Sequence, residues 1–346
     1  VNIGITGLFT GNDPVAGWGV ARCLRAHHGQ CHRLVGLAYG PLESGLYENG
    51  LLDKAFQIPF PEQDPEGFVR RLGQIMENTG LAAVIPNLDT DVPCFADKAA
   101  VLEQMGISTL LPAKAVLESV RKDRLAGLGP DHCGGFAFPR TTVVARSDMQ
   151  GLKKIALPCI VKHPLRGARR ADSADELRFR VKALLDEGNE AAVIQEIVEG
   201  EEFSVGALAG RTGQALSLVM LKKMLTAGNG TTWMGICVED RGLERHVGDL
   251  IRDVGWKGPI DVEVIRREKD GRYYLIEINP RFPGWVSFCA QVGVNLPAML
   301  IDLLAGQAVA PQSASAGEVF VRRAIDIVTD INTFGMMALT GEMDNE

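Results

Sequence analysis

The stretch Ile260-Asp-Val-Glu-Val-Ile-Arg-Arg-Glu-Lys-Asp-Gly-Arg-Tyr-Tyr-Leu-Ile-Glu-Ile-Asn-Pro-Arg281 restricts the fold of this chain more than any other. Two runs rich in Val, Ile and Tyr flank Lys269-Asp-Gly271, which predicts a hairpin with a three-residue loop and Gly271 in the left-handed position. Pairing outward from that loop sets Glu263 opposite Glu277. Alternation then puts Asn279 with Glu277 on one face, and Asp261 with Glu263. Like charges directly opposite each other destabilise a sheet. A hard divalent cation removes that penalty, because Mg²⁺ takes oxygen ligands from one or two carboxylates plus substrate phosphates. Glu277 also stands between Ile276 and Ile278 and is followed by Asn-Pro-Arg, a poor setting for a merely solvated acid.

Composition sets looser bounds. With 346 residues, 46% of them hydrophobic and 23% charged, the chain suits an ordinary soluble protein of two or three packed lobes. A formal net charge of -7 argues against a nucleic-acid partner, while leaving room for a local basic groove. No apolar run approaches the roughly 18 residues that span a membrane. The opening Val1-Asn-Ile-Gly-Ile-Thr6 reads as a first strand and not as a signal peptide, so the expected location is cytoplasmic. Seven scattered cysteines without a CxxC pair suit reduced thiols, neither a disulfide framework nor a zinc site. His28-x-x-Cys31-His32 reads as a frayed helix end rather than a metal site.

Residues 1–112 alternate strand and helix: strands at Asn2–Thr6, Arg33–Ala38 and Ala82–Leu88, and helices over Val15–His28, Pro65–Thr79 and Asp91–Met105. This βαβ rhythm predicts a parallel sheet with helices on both faces. Gly17-Trp-Gly-Val-Ala-Arg22 is a poor dinucleotide fingerprint, since Arg stands where a third glycine belongs. A helix is expected over Ala113–Leu128, carrying Arg121, Lys122, Asp123 and Arg124. A small α+β lobe follows, with strands at Arg140–Val144, Pro158–Lys162 and Ala192–Val198 and helices at Asp148–Ile155 and Ser173–Glu187. Long strands come next, at Phe203–Ala209 and Leu216–Leu225 before the hairpin, with helices near Leu243–Val254 and Leu296–Leu304. A last strand is expected at Glu318–Ile327, with a loosely held end.

Several pieces ask for one ligand. Lys162 ends the apolar strand Cys159-Ile-Val-Lys162 and precedes Pro164-Leu-Arg-Gly-Ala-Arg-Arg170. An ammonium beside a basic, glycine-containing loop suits polyphosphate. The run Gln195-Glu-Ile-Val-Glu-Gly-Glu-Glu-Phe203 passes from a buried strand into an acidic turn, where backbone groups can read a purine edge and a carboxylate can hold ribose. In open α/β sheets ligands bind beyond the carboxyl ends of the strands, which singles out Gly7–Trp18 and Asn87-Leu-Asp-Thr-Asp91. Asp89 or Asp91 suits an amino group there; capping of the next helix is the alternative.

Asp123-Arg124, Ile160-Val-Lys162, Gln195-Glu-Ile-Val198, Gly200-Glu-Glu-Phe203, Asp261-Val-Glu263 and Ile276-Glu-Ile-Asn-Pro-Arg281 occur in the order and approximate spacing of the ATP-grasp superfamily. The chain most resembles the branch holding the carbamoyl-phosphate synthase large subunit, biotin carboxylase and related carboxylate–amine ligases. The resemblance implies an α/β and α+β architecture. An N-terminal parallel-sheet pre-ATP-grasp domain (1–112) leads to a two-lobed ATP-grasp fold. That fold has a small lobe or lid (113–198) and a large C-terminal lobe (199–346) with a largely antiparallel sheet.

It also implies roles. Arg124 and Lys162 would touch ATP phosphates. Glu196 and Val198 would line the adenine through backbone, and Glu202 would hold ribose. Glu263, Glu277 and Asn279 would hold Mg²⁺, with Mn²⁺ as an alternative ion. Arg281 would steady the transferring phosphoryl group, and of Lys222 and Lys223 alternation aims one inward, taken as Lys223. The phosphate loop departs from many relatives, being short and carrying Arg166, Arg169 and Arg170 in place of several glycines. Pro283-Gly-Trp285 would border the acceptor pocket.

The implied reaction is ATP-dependent ligation of a small carboxylate or amino acid to an amine (or thiol) through an acyl phosphate. Bicarbonate activation is the alternative within enzymes, and an ATP-binding regulatory protein without catalysis the alternative outside them. The partners expected are small molecules, with no nucleic acid or membrane, and a homodimer is allowed.

Overall fold

Apolar runs of four to six residues set the first layer. β1 (Asn2–Ile5), α1 (Ala16–His28), β2 (Arg33–Ala38), β3 (Lys54–Gln57), α2 (Pro65–Thr79), β4 (Leu81–Ile85) and α3 (Val92–Gln104) follow in turn. The structure, a computed structural model, describes the chain apart from residues 12–13, 29–31, 164–166, 229 and 345–346 and the side chains of residues 27 and 28. Most of the His28-x-x-Cys31-His32 grouping and Arg166 of the basic loop therefore lie outside the described residues. β1 pairs in parallel with β2 and β4, and β2 with β3, leaving the strand ends and their loops on one rim. Capping explains where α2 begins and ends. Asp64 accepts from the Gly67 amide at 2.8 Å, Pro65 opens the first turn, and left-handed Gly80 (φ 67°) closes the last. Gly17 is needed for a different reason: a Cβ there would sit 2.0 Å from the Thr6 carbonyl oxygen, so α1 can cross the end of β1 only without a side chain.

The predicted long helix after residue 112 is much shorter. α4 (Lys114–Ser119) stops before the charged run, and a 3₁₀ turn follows at Leu125–Gly127. The apolar stripe explains the early end, because Leu117 and Val120 are buried but Arg121-Lys-Asp-Arg124 gives a helix nothing to pack. The small lobe holds β5 (Thr141–Ala145), β6 (Cys159–Lys162), β7 (Ala168–Ala171), α5 (Ala174–Asp186) and β8 (Ala191–Glu196). Its sheet runs in the order β5-β8-β6-β7, all antiparallel. Part of the basic loop is therefore strand, with Arg169 and Arg170 in β7. The segment expected as a helix at Asp148–Ile155 is 3₁₀, kinked at Asp148. Ser173 caps α5 through the Glu176 amide, and the Glu176 side chain reaches back to the Asp172 amide.

The large sheet comprises β9 (Gly200–Ala209), β10 (Ala215–Thr226), β11 (Thr232–Val238), β12 (Gly258–Arg267), β13 (Tyr273–Asn279) and β14 (Val319–Val321), in the order β13-β12-β9-β10-β11-β14. α6 (Arg241–Asp253) covers one face, while α7 (Val286–Gln291) and α8 (Leu296–Leu304) lie against α1 and the other face. Trp256 is fully buried there, its indole N–H donating to the Pro259 carbonyl at 3.0 Å. The end of the chain differs from expectation. β14 is only three residues long, and α9 (Ile331–Thr340) and β15 (Glu342–Asp344) return to the first sheet, where β15 pairs antiparallel with β3. Met343 is buried against the first sheet, so residues 342–344 are packed where loosely held ones were expected; residues 345–346 lie outside the described residues.

Candidate functional site

The hairpin reaches the predicted pairing by another route. Its turn spans residues 268–271, one longer than expected: the Gly271 amide bonds the Arg267 carbonyl and Gly271 takes φ 68°. Val264 therefore pairs with Leu275, and a bulge at Ile276 restores Glu263 opposite Glu277 and Asp261 opposite Asn279. The two differences cancel. In the next two strands, Ser204 and Leu221 continue the row of Glu263 and Glu277. Period-two alternation places Glu202, Lys223, Asp261 and Asn279 on the same face. Lys222 faces the other way and pairs with Glu201, which also binds Arg266.

Lysines occupy the space between the facing acids. Lys223 Nζ lies 2.8 Å from Glu263 and 3.9 Å from Glu202, and its side chain is only 5% exposed. Lys122 Nζ lies 2.9 Å from Glu277. Lys162, equally buried, donates to the carbonyl of the bulged Ile276 at 3.2 Å. The facing acids thus do have cations beside them, and in the chain alone these are ammonium groups. Burial would raise the Glu277 carboxyl, but Lys122 and Lys162 pull it below the ordinary carboxylate value. Burial drives Lys162 down to about 8, against the pull of Glu277. For Lys223 burial also works downward, and Glu263 outweighs it to leave the amine above its usual value.

Arg281 anchors the far end of this face to the first layer. Its Nη2 donates to Asp89 Oδ2 at 3.1 Å, and its Nε lies within ion-pair distance of Oδ1 at 2.9 Å without an aligned hydrogen bond. Nη1 donates to the Phe282 carbonyl at 3.3 Å and stands 3.9 Å from Asp261. Burial opposes the Arg281 charge, but Asp89 and Asp261 hold it above its usual value. Breaking such a pair from one side strands a charge, at roughly 3–5 kcal/mol where burial is complete.

Asp261 accepts from Ser204 Oγ at 2.7 Å and from Asn279 Nδ2 at 3.2 Å, while the Trp285 indole N–H donates to Ser204 at 2.9 Å. With the amide nitrogen turned to Asp261, the Asn279 carbonyl oxygen is left for another partner. Asp91, unlike Asp89, is fully buried, takes a hydrogen bond from Tyr39 Oη at 3.0 Å and is pushed up to about 7 by burial.

The remaining predicted residues divide. Glu196 ends β8, and its carboxylate accepts from the Arg140 amide at 2.9 Å, so the side chain organises the strand end. Residues 197–199 link β8 to β9, and the Ile197 and Val198 amides donate to no backbone acceptor among the described residues. Glu202 is half-exposed near Lys223. Arg124 does not join the site: it is 56% exposed and lies 3.6 Å from Glu118. Lys122, two residues earlier and 11% exposed, takes that place. Sequence reasoning passed over Lys122 because a continuous helix gave no reason to separate it from its charged neighbours. The end of the apolar stripe at Val120 was the available signal. Arg169 donates to the Gly228 carbonyl at 3.1 Å, reaching the β10–β11 turn, and Arg170 pairs with Asp172 at 2.7 Å.

Among the described residues no three His, Cys, Asp or Glu side chains form a metal cage of their own. Glu263, Glu277 and Asn279 share one face of the sheet, two carboxylates and an amide of the kind Mg²⁺ takes together with phosphate oxygens. Lys122, Lys162 and Lys223 and the guanidinium of Arg281 lie along the same face. No described helix is long and apolar enough to cross a membrane.

Residues 189–326 match the model of a family described as ATP-grasp in the biosynthetic pathway with Ter operon. No curated protein sequence matches the chain. Among solved structures, the L-amino acid ligase from Bacillus licheniformis aligns with a TM-score of 0.66 at 16% identity, over 88% of this chain and 74% of that one. The biotin carboxylase domain dimer of the Hydrogenobacter thermophilus 2-oxoglutarate carboxylase, in complex with MgADP, ADP and bicarbonate, gives 0.67 at 17%, over 92% and 73%. N5-carboxyaminoimidazole synthetase from Staphylococcus aureus gives 0.65 at 16%, over 92% and 80%.

Proposed function

Because the chain has the ATP-grasp fold, we propose that it is a Mg-ATP-dependent ligase that activates a small carboxylate as its acyl phosphate and passes the acyl group to an amine. The observation that carries this reading is a row of cationic side chains along the facing acids: Lys122 on Glu277, Lys223 on Glu263, Lys162 on the Ile276 carbonyl between them, and Arg281 beside Asp261. In the chain alone these charges neutralise one another in lysine–glutamate pairs. A metal–triphosphate complex lets both partners of each pair exchange: carboxylates turn to the metal and ammonium groups to phosphate oxygens, so no charge is stranded.

Glu263, Glu277 and Asn279 would hold Mg²⁺, which supplies charge neutralisation on the phosphates. The chain's own groups do the rest. Ile197 and Val198 offer unspent amides to the base, and Glu202 offers its carboxylate to ribose. Lys162, held against the Ile276 carbonyl, spans the small and large sheets, so a phosphate bound there draws the lobes together. A substrate carboxylate oxygen then attacks the γ-phosphorus and ADP departs. The amine nitrogen attacks the acyl carbon, phosphate leaves, and the amine gives up a proton. Positioning and charge stabilisation account for the acceleration, and lobe closure keeps water from the acyl phosphate. The test is phosphate release from Mg-ATP over pooled amino acids, small carboxylates and bicarbonate, with mass analysis of product. Release that requires an organic carboxylate and an amine supports the reading. Release that requires bicarbonate alone, or none with any acceptor, rejects it.

A further inference from the structure

The ion pair between Arg281 and Asp89 occupies the Nε/Nη2 edge of the guanidinium, one of the two edges that match a carboxylate. Nη2 donates to Asp89 Oδ2 at 3.1 Å and Nε lies 2.9 Å from Oδ1, which receives no hydrogen bond among the described residues, while Nη1 is engaged by the Phe282 carbonyl and stands beside Asp261. Asp89 comes from the β4–α3 connection, beyond the carboxyl end of a parallel strand, and Arg281 follows the metal-ligand strand β13. The chain's own carboxylate thus occupies the guanidinium edge that a substrate carboxylate could use. We propose that Asp89 is a placeholder for that substrate group and that the substrate it admits is an α-amino acid, whose ammonium Asp89 binds once displaced. This rests on the ligase reading above and adds the substrate class to it.

Charge balance supplies the argument. An entering carboxylate that takes the Arg281 edge leaves Asp89, 28% exposed, without a cation; among the described residues Arg281 is its one ion partner. Asp91, the acid two residues on, offers it no compensating charge. A stranded, largely buried carboxylate is costly, so a simple carboxylic acid is disfavoured. An α-amino acid restores the balance, because its ammonium and carboxylate are one carbon apart and meet Asp89 and Arg281 together. The same connection also holds a fully buried acceptor with no donor among the described residues, Oδ1 of Asn87. It adds a further acceptor to the turn that would receive an ammonium with three donors.

The experiment compares the twenty amino acids with the matching acids that lack the amino group. It follows phosphate release from Mg-ATP and, separately, thermal stabilisation with a non-hydrolysable ATP analogue, for the parent chain and Asp89→Asn. The expected result is that some amino acid is preferred over its deaminated partner on the order of 100-fold in kcat/KM. Asp89→Asn should cut or reverse that preference while keeping Mg-nucleotide stabilisation, which shows the variant folded. Equal use of the deaminated acids by the parent chain, or an unchanged preference in Asp89→Asn, overturns the proposal and leaves the ligase reading standing. Absence of phosphate release with every member of both panels, with nucleotide stabilisation intact, overturns the ligase reading and this proposal with it.

Discussion

Lys122 and Arg124 are two residues apart and carry the same charge, yet only one is placed to act. Lys122 is nearly buried against Glu277, whereas Arg124 is exposed beside Glu118. Lys122→Met should weaken Mg-nucleotide binding by roughly ten- to a hundredfold, the scale of a lost charge-assisted contact. Arg124→Met should change it less than about twofold. Calorimetric titration of both variants checks this, and equal losses would refute the distinction.

Lys162 gives a pH test. Burial holds its amine at about 8 in the free protein, and phosphate binds the protonated form. Nucleotide affinity should therefore fall as pH rises through 8, by up to about tenfold per unit, until the bound-state pKa is passed. Lys162→Arg, charged throughout, should be flat to pH 9.5. A flat profile in the parent chain contradicts the assignment. Stability runs the opposite way: between about 8 and the unfolded lysine value near 10.5 the unfolded chain binds more protons, so Lys162's burial penalty is relieved as pH rises.

At the scale of elements, local patterns were legible where one face of a segment is apolar and its ends carry caps. α2, β2 and α8 begin and end where the sequence places them. Where tertiary contacts decide, the pattern misleads. β3 and β7 are short strands with polar residues that exist because a neighbour pairs with them, and the Ile276 bulge answers to the large sheet, not to the turn. The facing acids came out right because the longer turn and the Ile276 bulge cancel in the pairing arithmetic; the lysines beside them were not legible, since Lys122 and Lys162 come from other elements. The C-terminal strand is the clearest miss, because nothing in Glu342–Asp344 announces a partner 285 or more residues earlier. Met343 is 3% exposed on the first core and Glu342 pairs with Arg71 at 3.0 Å. Met343→Ala should cost about 2–5 kcal/mol in a denaturant titration, where a loose tail would give almost nothing.

For the whole molecule, the site exists only where three sheets meet. Asp89 belongs to the first layer, Lys162 to the small lobe, and Glu263, Glu277, Asn279 and Arg281 to the large sheet or its end. Gly284 marks how closely the outer layers approach, since a Cβ there would lie 2.6 Å from the Pro14 carbonyl oxygen. Lys162–Ile276 and Arg169–Gly228 are hydrogen bonds joining the small sheet to the large one. A nucleotide held between them should stabilise the folded chain as a unit, by about 2.7 kcal/mol at a hundred times its dissociation constant.

The most direct measurement is calorimetric titration of ADP, with and without Mg²⁺, into the parent chain and Glu277→Gln. The account predicts that Mg²⁺ tightens binding at least tenfold in the parent chain. In Glu277→Gln that enhancement should largely vanish while the melting temperature of the free protein is kept within a few degrees. An affinity indifferent to Mg²⁺ in the parent chain, or a full Mg²⁺ enhancement in the variant, would contradict the claim that Glu277 turns from its lysines to a metal-bound nucleotide.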